Sequence, residues 1–226
     1  MLSWAVLRWT LATWCLAGCD LVFQVELPGP TSAGTCVVAS DPFDMSNPEA
    51  WQTLDTASPV AVTVDSGSLL FALDPGQTAY NGLASTVRRD LRAGGVIVEL
   101  VQAPTSEGFG DITAHLTGNS GAYFVGVYGS GPGVPLVTYY GEDSNWSEVE
   151  FDATAHRFWR LLGAGDRIEL DAGPDGVAWN LLAIIPATGL DDVTIVLRGG
   201  VWGFGGPASD SARIDNFQLL STSCVP

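Results

Sequence analysis

Between about residues 60 and 220 the chain is built of short β-branched and apolar runs, cut every 8–12 residues or so by Gly, Pro, Asn and Asp. That beat constrains the fold more than any other feature. Ala61-Val62-Thr63-Val64 and the run from Ser68 to Leu73 are split by Asp65-Ser66-Gly67, a hairpin signal. A β-branched run from Gly95 to Val101 is stopped by Pro104. Further strands are expected over 111–117, 122–128, 134–140, 148–151, 156–162, 167–171, 177–184, 193–197 and 212–220. No window carries helical periodicity bounded by caps. The pattern predicts an all-β sandwich or barrel. Residues 167–184 show the pleat. Ile168 and Leu170 alternate with Arg167, Glu169 and Asp171; Gly173-Pro174-Asp175-Gly176 turns; Val177, Trp179 and Leu181 are then expected on the same core-facing side.

Two cysteine positions divide the chain. Residues 1–18 combine one cation, Arg8, with an apolar run too short to span a bilayer, and end Leu16-Ala17-Gly18 before Cys19. This resembles the lipobox of bacterial lipoproteins, which implies cleavage before Cys19, acylation of that cysteine and an exported, lipid-anchored protein of the cell envelope. Residues 19–35, with two prolines and a Ser/Thr cluster, are expected to be a flexible tether, and 36–226 one domain. In an exported chain Cys36 and Cys224 are most simply a disulfide, which would set the first and last strands side by side.

Apolar residues make up 46% of the chain, enough for a sizeable core, and charged ones only 15%. All nine cations are arginine, against 25 carboxylates, for a formal charge of −16. So acidic a surface disfavours nucleic acid and direct contact with anionic lipid, leaving the lipid anchor as the membrane attachment.

Several segments, in order, resemble the concanavalin A-like lectin/glucanase superfamily, in particular its LamG-like jelly-roll modules. They are Asp41-Pro42-Phe43-Asp44 with Trp51, His156-Arg157-Phe158-Trp159-Arg160, Gly173-Pro174-Asp175-Gly176-Val177-Ala178-Trp179 and Ile214-Asp215-Asn216-Phe217. The resemblance implies a jelly-roll β-sandwich of two antiparallel sheets. It makes the motifs scaffold, with Trp51, Trp159, Trp179 and Phe217 in the core and Asp175-Gly176 in a turn.

Catalytic members of that superfamily carry carboxylates as E-x-D-x-E or E-x-D-x-x-E on one strand face. The nearest match, Glu148-Val149-Glu150-Phe151-Asp152, departs in its second and third acids. His115 and His156 are the only histidines, and neither a G-x-S-x-G elbow nor H-E-x-x-H occurs, so triads and zinc sites lack their parts. Aromatic faces flanked by carboxylates and amides suit sugars. Tyr139, Tyr140, Glu142, Asp143, Asn145 and Trp146 form one such cluster, and Trp202 lies in a second, glycine-rich segment. Glu142, Asp143, Asp191 and Asp192 offer oxygens to Ca²⁺, but no spacing matches a calcium loop, so no cofactor is expected. The function expected from these residues is that of a non-catalytic envelope protein binding glycans or another envelope component. A structural or adhesive lipoprotein and a diverged glycoside hydrolase are the alternatives.

Overall fold

The computed structural model describes residues 35–73, 78–105, 109–129, 136–140, 147–201 and 210–222. Among them are fifteen strands and no helix: β1 (Cys36–Asp41), β2 (Trp51–Thr53), β3 (Ala61–Asp65), β4 (Ser68–Leu73), β5 (Ala79–Ser85), β6 (Gly94–Gln102), β7 (Gly110–Thr117), β8 (Ala122–Tyr128), β9 (Leu136–Tyr140), β10 (Ser147–Glu150), β11 (Phe158–Gly163), β12 (Arg167–Gly173), β13 (Asn180–Pro186), β14 (Thr194–Val201) and β15 (Asp210–Ser221). They form two antiparallel sheets. The eight-stranded sheet runs β13-β12-β11-β6-β15-β4-β3, with β1 also on β15; the seven-stranded sheet runs β10-β9-β8-β7-β14-β5-β2.

Strand β15 is long enough to hold two partners on one flank. Asp210 to Ile214 pair with β4, and Phe217 to Ser221 with β1. The first and last strands therefore lie side by side, as expected. Cys36 is disulfide-bonded; its expected partner, Cys224, lies outside the described residues, as does Cys19.

Period-two alternation makes the core. Val96, Val98, Ile112, Ala114, Leu116, Val125, Val127, Leu161, Leu170, Ile195 and Leu197 point inward from both sheets and are buried. The Asp65-Ser66-Gly67 hairpin joins β3 to β4, with positive φ at Ser66 (55°) and Gly67 (73°), the twist a two-residue turn needs.

The scaffold motifs hold, with one correction. Asp41 accepts hydrogen bonds from Trp51 Nε1 (2.9 Å), the Phe43 amide (2.8 Å) and Asn47 Nδ2 (3.2 Å). Trp51 meets Phe217 edge-on at 5.0 Å, and Trp159 is fully buried. Asp175 accepts from the Val177 and Ala178 amides, closing the predicted turn. Trp179, however, lies on the outer face of the eight-stranded sheet, its ring under the Arg160 guanidinium at 4.7 Å. Val177 and Leu181 are also exposed, at 54% and 55%. The reason is a register shift in the β12–β13 ladder between Leu170 and Asp171. Leu182 is the extra residue, so Ala183 and Ile185 take the inward positions and Leu181 turns outward beside Asp171.

Candidate functional site

Because Ile112, Ala114 and Leu116 fill the core, Asp111, Thr113 and His115 of β7 must stand on the outer face of the seven-stranded sheet. Ladder pairing extends each position into a row. Asp111 lies between Tyr128 and Gly200, with Tyr80 beyond; Thr113 lies between Gly126 and Arg198, with Gly82 beyond; His115 lies between Phe124 and Val196. Past Gly126 the second row continues through Thr138 to Glu148. Polar and aromatic side chains from five strands thus share one face.

Glycines shape it. A Cβ on Gly200 would stand 2.1 Å from Cδ1 of Tyr80 and 2.6 Å from the Ala79 carbonyl, so the tyrosine ring lies directly over the bare backbone. The Arg198 guanidinium stacks on that ring, Cζ 4.5 Å from its centroid. Gly126 leaves equivalent room for the Thr113 methyl.

Two polar atoms on this face are buried without a hydrogen-bond partner: Oδ1 of Asp111 and Nε of Arg198. Burial raises the Asp111 carboxyl to about 6, outweighing the opposing pull of Arg198. Burial, with the Asp111 charge adding to it, pushes the Tyr80 phenol to about 12. Burial, then Arg198, pulls His115 down to about 3, so its imidazole is neutral. Thr113 Oγ1 donates to the Arg198 carbonyl (3.3 Å), so at its 2.6 Å contact with His115 Nε2 the ring nitrogen is the donor. Tyr128 donates to Glu148, and burial followed by that bond raises the phenol to about 12. The face therefore offers a carboxyl that keeps its proton up to about pH 6, a guanidinium and a second carboxylate.

Of the residues singled out in the sequence, Tyr139 and Tyr140 pair with Val125 and Phe124 along β9. Glu142, Asp143, Asn145, Trp146 and Trp202 lie outside the described residues. Glu148 and Glu150 do share a strand face, on edge strand β10, but Asp152 has left the strand. It caps the next turn by accepting from the Thr154 and Ala155 amides, while its own amide donates to His156 Nδ1. Asp192 is ion-paired to Arg88, and among the described residues no three His, Cys, Asp or Glu converge as a metal set. The Asp111–Arg198–Tyr80 group was missed because its members belong to β7, β14 and β5. The one local signal was the polar alternation Asp111-x-Thr113-x-His115-x-Thr117.

A second recess, of about 340 Å³, opens between the sheets beside Trp51, Phe217, Asp41 and Arg89. Asp41 there is already committed to Trp51, Phe43 and Asn47, so the recess reads as scaffold.

No protein-family model and no curated protein matches the chain. Solved structures do. A Bacillus licheniformis β-glucanase aligns at 15% identity and TM-score 0.56, over 80% of this chain and 96% of its own. A Mycobacterium tuberculosis protein described as an immunostimulatory antigen and pseudo β-1,3-glucanase aligns at 13% and 0.57, over 82% and 98%. A Clostridium perfringens endo-β-galactosidase releasing GlcNAcα1-4Gal aligns at 11% and 0.60, over 85% and 63%. The fold is thus the jelly-roll sandwich of the β-glucanases. These neighbours overturn the expectation that the chain is not an enzyme: glucanases and other glycosyl hydrolases, one of them called a pseudo-glucanase, surround it.

Proposed function

We propose that this chain is a diverged glycoside hydrolase acting on a glycan laid across the outer face of the seven-stranded sheet, with Asp111 as proton donor. One observation carries the reading. Oδ1 of the half-buried Asp111 is out of contact with solvent and unpartnered, and the carboxyl titrates near 6, so it holds a proton at mildly acidic pH and can deliver it. The fold's glucanase neighbours support glycan as the ligand class.

Hydrolysis on this face runs as follows. The Asp111 carboxyl gives its proton to the glycosidic oxygen as the C–O bond breaks. The water whose oxygen bonds the anomeric carbon gives up its proton to solvent. Asp111 is left ionised and takes a proton back from solvent. Outer positions of β8 carry Ala122, Phe124, Gly126 and Tyr128, so the acid comes from β7 and not from β8. Reducing-end release from β-glucans and β-galactans tests this. Wild type is expected to cleave at least one, with Asp111→Asn slower by about 10²-fold or more. No release from any of them, or an Asn variant as fast as wild type, overturns it.

The export signal, acylation at Cys19 and envelope location belong to the same proposal, supported by Leu16-Ala17-Gly18-Cys19. Pairing of Cys36 with Cys224 is supported by the ladder that seats Cys36 opposite Ser221, three residues before Cys224.

A further inference from the structure

We infer that the outer face of the seven-stranded sheet at Arg198 receives an oxyanion substituent of the glycan, a uronate carboxylate or a sulfate ester, with Arg198 as its cationic ligand. The inference rests on the glycan-acting reading above and specifies which sugars that face selects.

Charge accounting carries it. Of the eight arginines among the described residues, six are ion-paired to carboxylates: Arg88, Arg92, Arg157, Arg160, Arg167 and Arg213. Arg89 and Arg198 are not, although the chain has 25 carboxylates to nine cations, and of the two Arg198 is the one on this face. Its Nε is buried without a hydrogen-bond partner, and its guanidinium stacks on Tyr80. Partly desolvating a cation with no counter-charge is unfavourable, so such a group marks a place where the counter-charge can arrive with a ligand.

Asp111 is the neighbour that would ordinarily supply it. The two are offset by a single pair in the β7–β14 ladder, since Asp111 faces Gly200 and Arg198 faces Thr113. No ion pair joins them, and the Asp111 carboxyl has an unpartnered oxygen of its own. A sugar hydroxyl could bridge the two atoms but would leave the guanidinium uncompensated. An oxyanion accepting from the terminal N–H groups of Arg198 supplies that counter-charge and leaves the Asp111 proton for the glycosidic oxygen. The other titratable groups on the face do not compete as cations: His115 is neutral, Tyr80 and Tyr128 remain phenols, and Glu148 is engaged by Tyr128. Binding is accordingly expected to weaken as pH rises through about 6 and Asp111 ionises.

The test is calorimetric titration of the mature protein at pH 5 and about 0.15 M salt, where screening over about 8 Å blunts repulsion from the acidic surface. Three probes are used: tetragalacturonate, a sulfated galactan tetrasaccharide and its neutral counterpart. At least one anionic probe is expected to bind ten-fold or more tighter than the neutral one, and which of them does so separates carboxylate from sulfate. Arg198→Gln is expected to erase that preference. If this variant fails to fold, competition of free sulfate against the anionic probe on wild type decides, and absence of competition overturns the inference. Equal affinity for all three probes, or a preference surviving in the folded Gln variant, also overturns it. Anion-selective binding without cleavage leaves the inference standing and removes the hydrolase reading; cleavage of neutral glucans with no anion preference does the reverse.

Discussion

Replacing Asp111 by Asn should make the protein more stable, and only above a definite pH. The Asp111 carboxyl titrates near 6 in the fold against 3.8 as a free side chain, because burial penalises its charge. The folded state therefore binds this proton more tightly than the unfolded chain. Stability contributed by the group is fully present below pH 3.8 and is lost as pH rises to about 6. At about 1.4 kcal/mol per pKa interval, the loss at pH 8 is at most about 3 kcal/mol. The amide of Asn is nearly the same shape and never ionises, so it escapes that penalty. Urea unfolding of both proteins, followed by tryptophan fluorescence from pH 4 to 8, reads the difference directly. The curves should nearly coincide at pH 4, with the Asn variant more stable by about 3 kcal/mol at pH 8, or about 6–12 °C in Tm. Asp215, which also titrates near 6 through burial, is common to both proteins and cancels. A pH-independent offset, or a wild type more stable at pH 8, would refute the assignment of a desolvated carboxyl on this face.

Gly200→Ala should destabilise by about 1–3 kcal/mol and displace Tyr80 and Arg198 together, since its Cβ would meet the tyrosine ring at 2.1 Å; thermal unfolding with glycan binding checks both. Arg160→Met should cost about 3–5 kcal/mol at pH 7, because the buried Asp171 loses its 3.0 Å partner, and much less at low pH where that acid is neutral; chemical unfolding at two pH values measures it. Asp41→Ala should lose about 1–3 kcal/mol by stranding Trp51 Nε1 and the Phe43 amide. Mass spectrometry of the exported protein should find acylated Cys19 at the N-terminus, and a free thiol there would refute the lipid anchor.

The sheets were legible wherever one strand face was apolar. Residues 122–128 match β8 to the residue, and 111–117 differ from β7 by one at the start. Strands β2 and β5 were not expected. Ala79-Tyr80-Asn81-Gly82 alternates poorly, and β5 is held chiefly by pairing with β14, a partner over a hundred residues away. The β12–β13 bulge was likewise invisible, because an inserted Leu182 is as apolar as its neighbours and only pairing reveals the parity change. The site was the least legible part. Asp111, Arg198 and Tyr80 are ordinary residues in three separate runs, and only the ladder order β7-β14-β5 makes them neighbours. Aromatic-rich loops drew attention instead, since composition advertises them while a buried lone carboxyl leaves no compositional trace.

The order of the strands also governs when this protein can fold. β14 divides β7 from β5, and β15 divides β6 from β4 and β1. Until residues 194–221 emerge, each layer exists only as fragments with bare hydrogen-bonding edges, the state most prone to wrong pairing. Neither sheet can close before its final two ribbons slot in like keystones, so the last tenth or so of the chain completes both layers at once.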